Sequence, residues 1–304
     1  MNYICIAIAY SRKIYCKFAH CVIYLYGGGN MDILNEFDSG EVYTRYAVDE
    51  KPDDGSFIMH VHDRCEIYCF VSGNAEYLVE GARYPLKTGS VLIMRPSESH
   101  KPKILGSGRY ERYAVNFSLS AVERLDPRRM LMKPFFERPL GRGNLYGAAE
   151  LSSETVRLFG EICGGNIGED YERQLEISTR LFLLLEMIYK AYLKRGSAEY
   201  APPTVLSEQI ITYINSHLFE ELSVPMLAEL FFLSVSQLGR VFRQATGAAP
   251  WEYITIKRLT AAREKIRCGE PAGIAAESCG FGNYSAFYRA YVKRFGCSPT
   301  DDIS

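Results

Sequence analysis

Between residues 57 and 117, short runs of alternating apolar and polar positions are separated by turn signals. These fall at Ser72, Gly73 and Asn74, at Glu80 and Gly81, and at Lys87, Thr88 and Gly89. Short strands at regular spacing predict an all-β sandwich or barrel. On a strand, alternate residues share a face, so Glu66, Tyr68 and Phe70 point inward together. Near Ser152 the period changes. Over 171–195 the apolar residues Ile177, Leu181, Leu184 and Ile188 recur every three or four positions, which predicts one long helix. A second stripe, Leu175, Phe182, Leu185, Tyr189 and Tyr192, covers another face. A helix apolar on two faces needs two partners. The strands supply one; a second subunit or a thicker single core supplies the other.

Residues 196–203 (GSAEYAPP) are polar and proline-bearing and read as a linker. Beyond them a helical pattern runs to residue 299, with stops at Gly247, at Gly269 and Pro271, at Gly280 and Gly282, and at Gly296. This part holds a repeat. Leu238, Arg240, Phe242, Gly247 and Pro250 recur 49 positions later as Phe287, Arg289, Tyr291, Gly296 and Pro299. Each copy reads as a short helix, a tight turn and a second helix: 224–230 then 236–244, and 272–279 then 284–294. Ser234 and Asn283 are the expected N-caps. Helix, short turn, helix is the geometry that presents a second helix to the DNA major groove.

The formal net charge of −1 over 304 residues gives nucleic acid no support from the chain as a whole. The local balance does. From 240 to 294 there are ten Lys and Arg against four Glu, a net of six positive charges, and Arg240, Arg243, Arg289, Lys293 and Arg294 lie on or beside the two candidate recognition helices. Nine cysteines, an odd count without CxxC spacing, argue against a disulfide framework or zinc ribbon and fit a reducing cytoplasm. The most apolar stretch, 181–193, is broken by Glu186 and Lys190 and is too short for a membrane span.

Three of five histidines cluster as His60, His62 and, after Glu66, His100. Alternate strand positions put His60 and His62 on one face, and three imidazoles with a carboxylate suit a first-row transition metal. An empty or ligand-binding pocket is the competing and preferred reading. In it His60, His62, Glu66, Tyr68 and His100 line an effector site without a tightly held metal or other cofactor.

The run SVSQLGRVFRQATGAAPWEYITIKRLTAAREKI, followed by GFGNYSAFYRAYVKRFGCSP, resembles the DNA-binding domain of the AraC/XylS family of regulators. The histidine region resembles the cupin barrel and, equally, the sensor half of such regulators. The resemblance implies an α+β multidomain protein. A cupin-like sensor barrel (31–145) and a helical dimerisation segment (146–195) precede a linker (196–205) and an all-α domain with two helix-turn-helix units (206–304). It implies DNA contacts from Ser236, Gln237, Arg240 and Arg243 of the first unit, Arg258 of the connecting helix, and Tyr284, Ser285, Arg289 and Lys293 of the second. Gly239 stands where many relatives carry a longer base-reading side chain, which implies fewer bases read there. The implied partners are double-stranded promoter DNA, a small-molecule effector with a sugar as one candidate, RNA polymerase as a further candidate, and a second copy of the chain, with no membrane involved. A cupin-type metalloenzyme with an appended DNA-binding domain is the alternative. Residues 1–30 show no sustained period and end in Gly27, Gly28, Gly29 and Asn30, so the native chain is expected to start at Met31.

Overall fold

In a computed structural model, residues 31–57, 59–164, 170–196 and 205–302 are described. The expectation for residues 1–30, and most of the expected linker, lie outside them.

The N-terminal part is a two-sheet sandwich. Its strands are β1 (Met31–Asp38), β2 (Val42–Asp49), β3 (Cys65–Ser72), β4 (Ala75–Val79), β5 (Ala82–Pro85), β6 (Val91–Met94), β7 (His100–Ile104), β8 (Tyr110–Phe117) and β9 (Leu145–Tyr146). One antiparallel sheet has the order β1-β2-β8-β3-β6-β9 and the other β5-β4-β7. The expected turns join β3 to β4, β4 to β5 and β5 to β6. The two sheets pack as a jelly-roll-like sandwich and do not join into one continuous barrel.

Strand β3 shows why the sequence folds this way. Tyr68 and Phe70 enter the space between the sheets with Tyr77, Leu92, Met94 and Tyr110. Their neighbours Ile67 and Cys69 face outward, yet they are equally buried. Helices cover that outer face, so β3 is apolar on both sides. The short helices α1 (Leu119–Glu123) and α2 (Lys133–Phe136) lead to α3 (Glu154–Gly164) and α4 (Asp170–Arg195). Phe159 and Ile162 of α3 and Leu181, Leu184 and Ile188 of α4 complete this core. The first predicted stripe of α4 is therefore buried. Of the second stripe only Leu185 is; Leu175 is exposed, and Phe182, Tyr189 and Tyr192 are half-buried.

The C-terminal part comprises α5 (Leu206–Ser216), α6 (Val224–Leu230), α7 (Val235–Thr246), α8 (Pro250–Arg267), α9 (Ala272–Ser278) and α10 (Tyr284–Phe295). Local signals set the boundaries. Ser234 caps α7 in a capping box with Gln237, and Asn283 caps α10. Both helices end on a glycine with left-handed backbone, Gly247 at φ 79° and Gly296 at φ 75°. Leu238, Phe242, Tyr253 and Ile254 centre one small core, and Leu259, Phe287 and Tyr291 another. Helix α8 contributes to both, so it is the beam that fixes one unit against the other.

Candidate effector pocket and nucleic-acid interface

The predicted histidines and glutamate meet inside the sandwich. His60 lies on a short backbone bridge to His100, at the start of β7, and Glu66 on β3 faces them. The Nε2 atoms of His62 and His100 lie 2.9 and 3.3 Å from Glu66 Oε2, which also accepts a hydrogen bond from the Asn116 amide at 2.8 Å. Each ring is fixed from behind. His62 Nδ1 sits 2.9 Å from the Arg64 carbonyl and His100 Nδ1 2.7 Å from the Glu98 carbonyl, so each Nδ1 donates to a carbonyl while each Nε2 is turned on Glu66. Burial alone would lower the pKa of His100 and raise that of Glu66. Their mutual attraction outweighs burial, so His100 is raised and Glu66 is held well below the usual carboxylate range.

The loop that carries His100 is itself anchored. Buried Glu98 takes a bidentate pair of 2.7 Å bonds from Arg138 and accepts from the Gly141 and Arg95 amides. Burial opposes ionisation of Glu98, but Arg138 and these amides bring its pKa down to about 2.

Next to the histidines is a small cavity, partly open to solvent. His60, Glu66 and Tyr68 line it together with Arg45, Phe57, Tyr77, Pro102, Tyr110 and Arg112. The sequence reading missed these last six. Tyr110, Arg112 and Asn116 follow the period of two along β8, and that was the available signal. Arg112 is paired with buried Asp49 and lies 4.5 Å from the Tyr110 ring centroid. The Tyr68 and Tyr110 hydroxyls are 2.5 Å apart, and burial pushes Tyr110 up to about 12. At neutral pH the cavity therefore presents flat aromatic faces, neutral hydroxyls, a carboxylate and two guanidinium groups.

In the C-terminal part the exposed faces of α7 and α10 carry the predicted polar residues. Ser236, Arg240 and Arg243 are exposed on α7; Tyr284, Ser285, Arg289 and Lys293 are exposed on α10. Two short helices thus stand with their N-terminal halves uncovered, each braced by its own apolar core.

Comparison with known proteins matches this architecture domain by domain. The family described as an AraC-like ligand binding domain matches residues 43–185, and that described as a helix-turn-helix domain matches residues 227–302. The chain belongs to the AraC family of transcription regulators. Over 92 residues it is 36% identical to the probable transcriptional regulator LumQ of Photobacterium leiognathi, a match to 30% of this chain and 37% of that protein. It is 24% identical over 263 residues to the transcriptional activator RhaS of Escherichia fergusonii, covering 84% of this chain and 90% of RhaS. To the activator RhaR of Mannheimia succiniciproducens it is 23% identical over 249 residues, covering 81% and 86%. These relatives are named as regulators, so the metalloenzyme alternative gives way: the protein is a DNA-binding regulator with an N-terminal ligand-binding domain.

Within this AraC-family domain two of the side chains expected at DNA are engaged with the protein itself. Arg258 is buried, and its guanidinium donates to the carbonyls of Leu218, Gly280 and Glu220 at 2.7, 2.7 and 2.6 Å. It ties α8 to the loops of both units and is not presented to solvent. Gly280 is matched to it. At φ 80°, a Cβ there would lie 2.9 Å from the Arg258 guanidinium carbon, so only glycine fits. Gln237 is exposed, but its side-chain oxygen accepts from the Ser234 amide at 2.9 Å. Its oxygen closes the helix end.

The two domains also touch. Glu80, in the turn between β4 and β5, accepts from Lys257 of α8 at 2.7 Å, from Asn215 of α5 at 2.7 Å and from the Tyr253 hydroxyl. Asp63 lies 2.5 Å from Arg267. Among the described residues no single helix is long and apolar enough to cross a membrane.

Proposed function

We propose that this regulator reads promoter DNA with α7 and α10 in successive major grooves, under control of a small polar metabolite held in the sandwich. Ser236, Arg240 and Arg243 serve the first groove, and Tyr284, Ser285, Arg289 and Lys293 the second. The observation that carries the reading is the pairing of two equivalent exposed helices with one polar, aromatic-walled cavity. Aromatic faces beside paired donors and acceptors suit a compact polyhydroxylated ligand, which would have to widen the small cavity on entering. Leu175, Leu183 and Leu193 leave exposed apolar surface on α4, which supports association of two copies through that helix. Cytoplasmic action on a promoter brings RNA polymerase in as the further partner. A thermal-shift panel of monosaccharides and small acids tests the effector reading. A ligand that raises the melting temperature of the wild type, but not of Tyr77→Ala, supports it. A panel hit that stabilises both equally places the ligand elsewhere.

A second reading of the same pocket has one observation in its favour. Among the described residues, His60, His62, Glu66 and His100 each bring a donor atom within 4.8 Å of the others. Two of the rings are oriented through Nδ1 by backbone carbonyls, as metal-bound histidines usually are. The donor set fits a divalent first-row ion, which would anchor an oxygen of the effector as a Lewis acid. Elemental analysis decides. One ion per chain that survives dialysis, and is lost in Glu66→Gln, supports the metal; none leaves these residues to the effector alone.

A further inference from the structure

The pocket and the DNA-binding domain share one wall. Residues 59–63 alternate in direction. The His60 and His62 rings face His100, with centroids 4.1 and 4.9 Å from its own. Met59 and Val61, between and beside them, are buried in the core of the first helix-turn-helix unit. Asp63 pairs with Arg267 and Arg263 of α8 at 2.5 and 3.5 Å, and the Val61 carbonyl accepts from Arg294 of α10 at 2.9 Å.

Residues 97–100 repeat the arrangement. His100 stands at the pocket, the Ser99 amide donates to Glu80 at 2.6 Å, and the Ser97 carbonyl accepts from Lys257 at 2.5 Å. His60 and His100 exchange both backbone hydrogen bonds, at 3.1 and 3.0 Å, so the two strips form one plate. Glu80 and Ser97 hold left-handed backbone, φ 50° and 64°, conformations that persist where the surroundings over-determine them. Lys257 and Glu80 are nearly fully buried, so half-opening would strand a charge out of water.

We propose that this plate couples pocket occupancy to the DNA-binding domain. A ligand that moves His60, His62 or His100 moves the backbone whose other face sets helix α8 and Arg294. The inference rests on the reading of the pocket as the effector site.

The test is a double-mutant cycle on the full chain without ligand. The variants are His60→Ala, Lys257→Met and both together, with a DNA duplex selected from a random library by the wild type. His60 stands at the pocket, bridged to His100. Its substitution is nevertheless expected to change affinity at least about five-fold, and the double variant to differ from the product of the single effects by a similar factor. Hydrogen exchange should rise in 59–63 and 97–100 in Lys257→Met, and in α8 in His60→Ala. Asp63→Asn, at the edge of the contact, is the second clamp variant should Lys257→Met fail to fold. Multiplicative effects without reciprocal exchange overturn the coupling, whatever the metabolite panel finds. Coupling in the cycle with no ligand in the panel keeps the plate and removes the effector reading.

Discussion

Replacing Arg258 by alanine separates a structural tie from a DNA contact. The guanidinium makes three short hydrogen bonds to backbone carbonyls from two loops, and its side chain is 5% exposed. Hydrogen bonds from a charged donor contribute about 1.5–3 kcal/mol each. They share one donor group and do not add, so the loss expected on breaking a buried charged network, about 3–5 kcal/mol, is the better figure. Against a domain stability of about 5–15 kcal/mol that loss removes a third or more of the margin in most of the range, so the variant unfolds at much lower urea. Trp251, the single tryptophan, lies 5.9 Å from the guanidinium and reports the transition by fluorescence. The dependence of DNA affinity on salt is the second readout. A lost phosphate contact lowers the slope of log K against log salt by about 1. A lost tie leaves it unchanged under conditions where the variant is folded. Unaltered urea stability together with a slope reduced by about one unit would refute the reasoning.

The Glu98 carboxyl has a folded pKa of about 2 against an ordinary 4.5, so its stabilisation is complete above pH 4.5 and is lost as pH falls towards 2. Glu98→Gln should cost roughly 3 kcal/mol at pH 7 and flatten the acid limb of the stability profile over that window; an unchanged limb in the variant contradicts this. Phe232 is 95% exposed and holds φ 54° at the end of α6, where the Leu233 amide reaches back to the Ala228 carbonyl. The matching place after α9 holds Gly280, so Phe232→Gly should raise stability by about 1 kcal/mol in urea denaturation, and a loss of that size would show that the ring is packed.

The C-terminal half was legible because its signals are local. Ser234, Asn283, Gly247 and Gly296 mark helix ends by chemistry that acts within one turn, and the repeat doubled each signal. Strands β1 and β2 escaped. Arg45 and Asp49 of β2 point inward to the cavity and its Arg112 partner, so the buried face reads as polar and the alternation fails where the interior holds paired charges. The HxH, Glu, His order was visible as a set, but its backing by Asn116, Glu98 and Arg138 joins residues far apart along the chain. Glu80 looked like an ordinary turn residue; its partner Lys257 is 177 positions away. Arg258 misled for a related reason: an arginine on a helix has the same spacing whether it faces a phosphate or three carbonyls.

The central claim is that α7 and α10 read two successive major grooves, and hydroxyl-radical footprinting with single variants tests it most directly. The wild type should protect two patches about 10 bp apart. Arg240→Ala should weaken one patch and Arg289→Ala the other, each at a cost of about 1–3 kcal/mol in affinity. Wild-type protection and affinity in both variants would contradict the account.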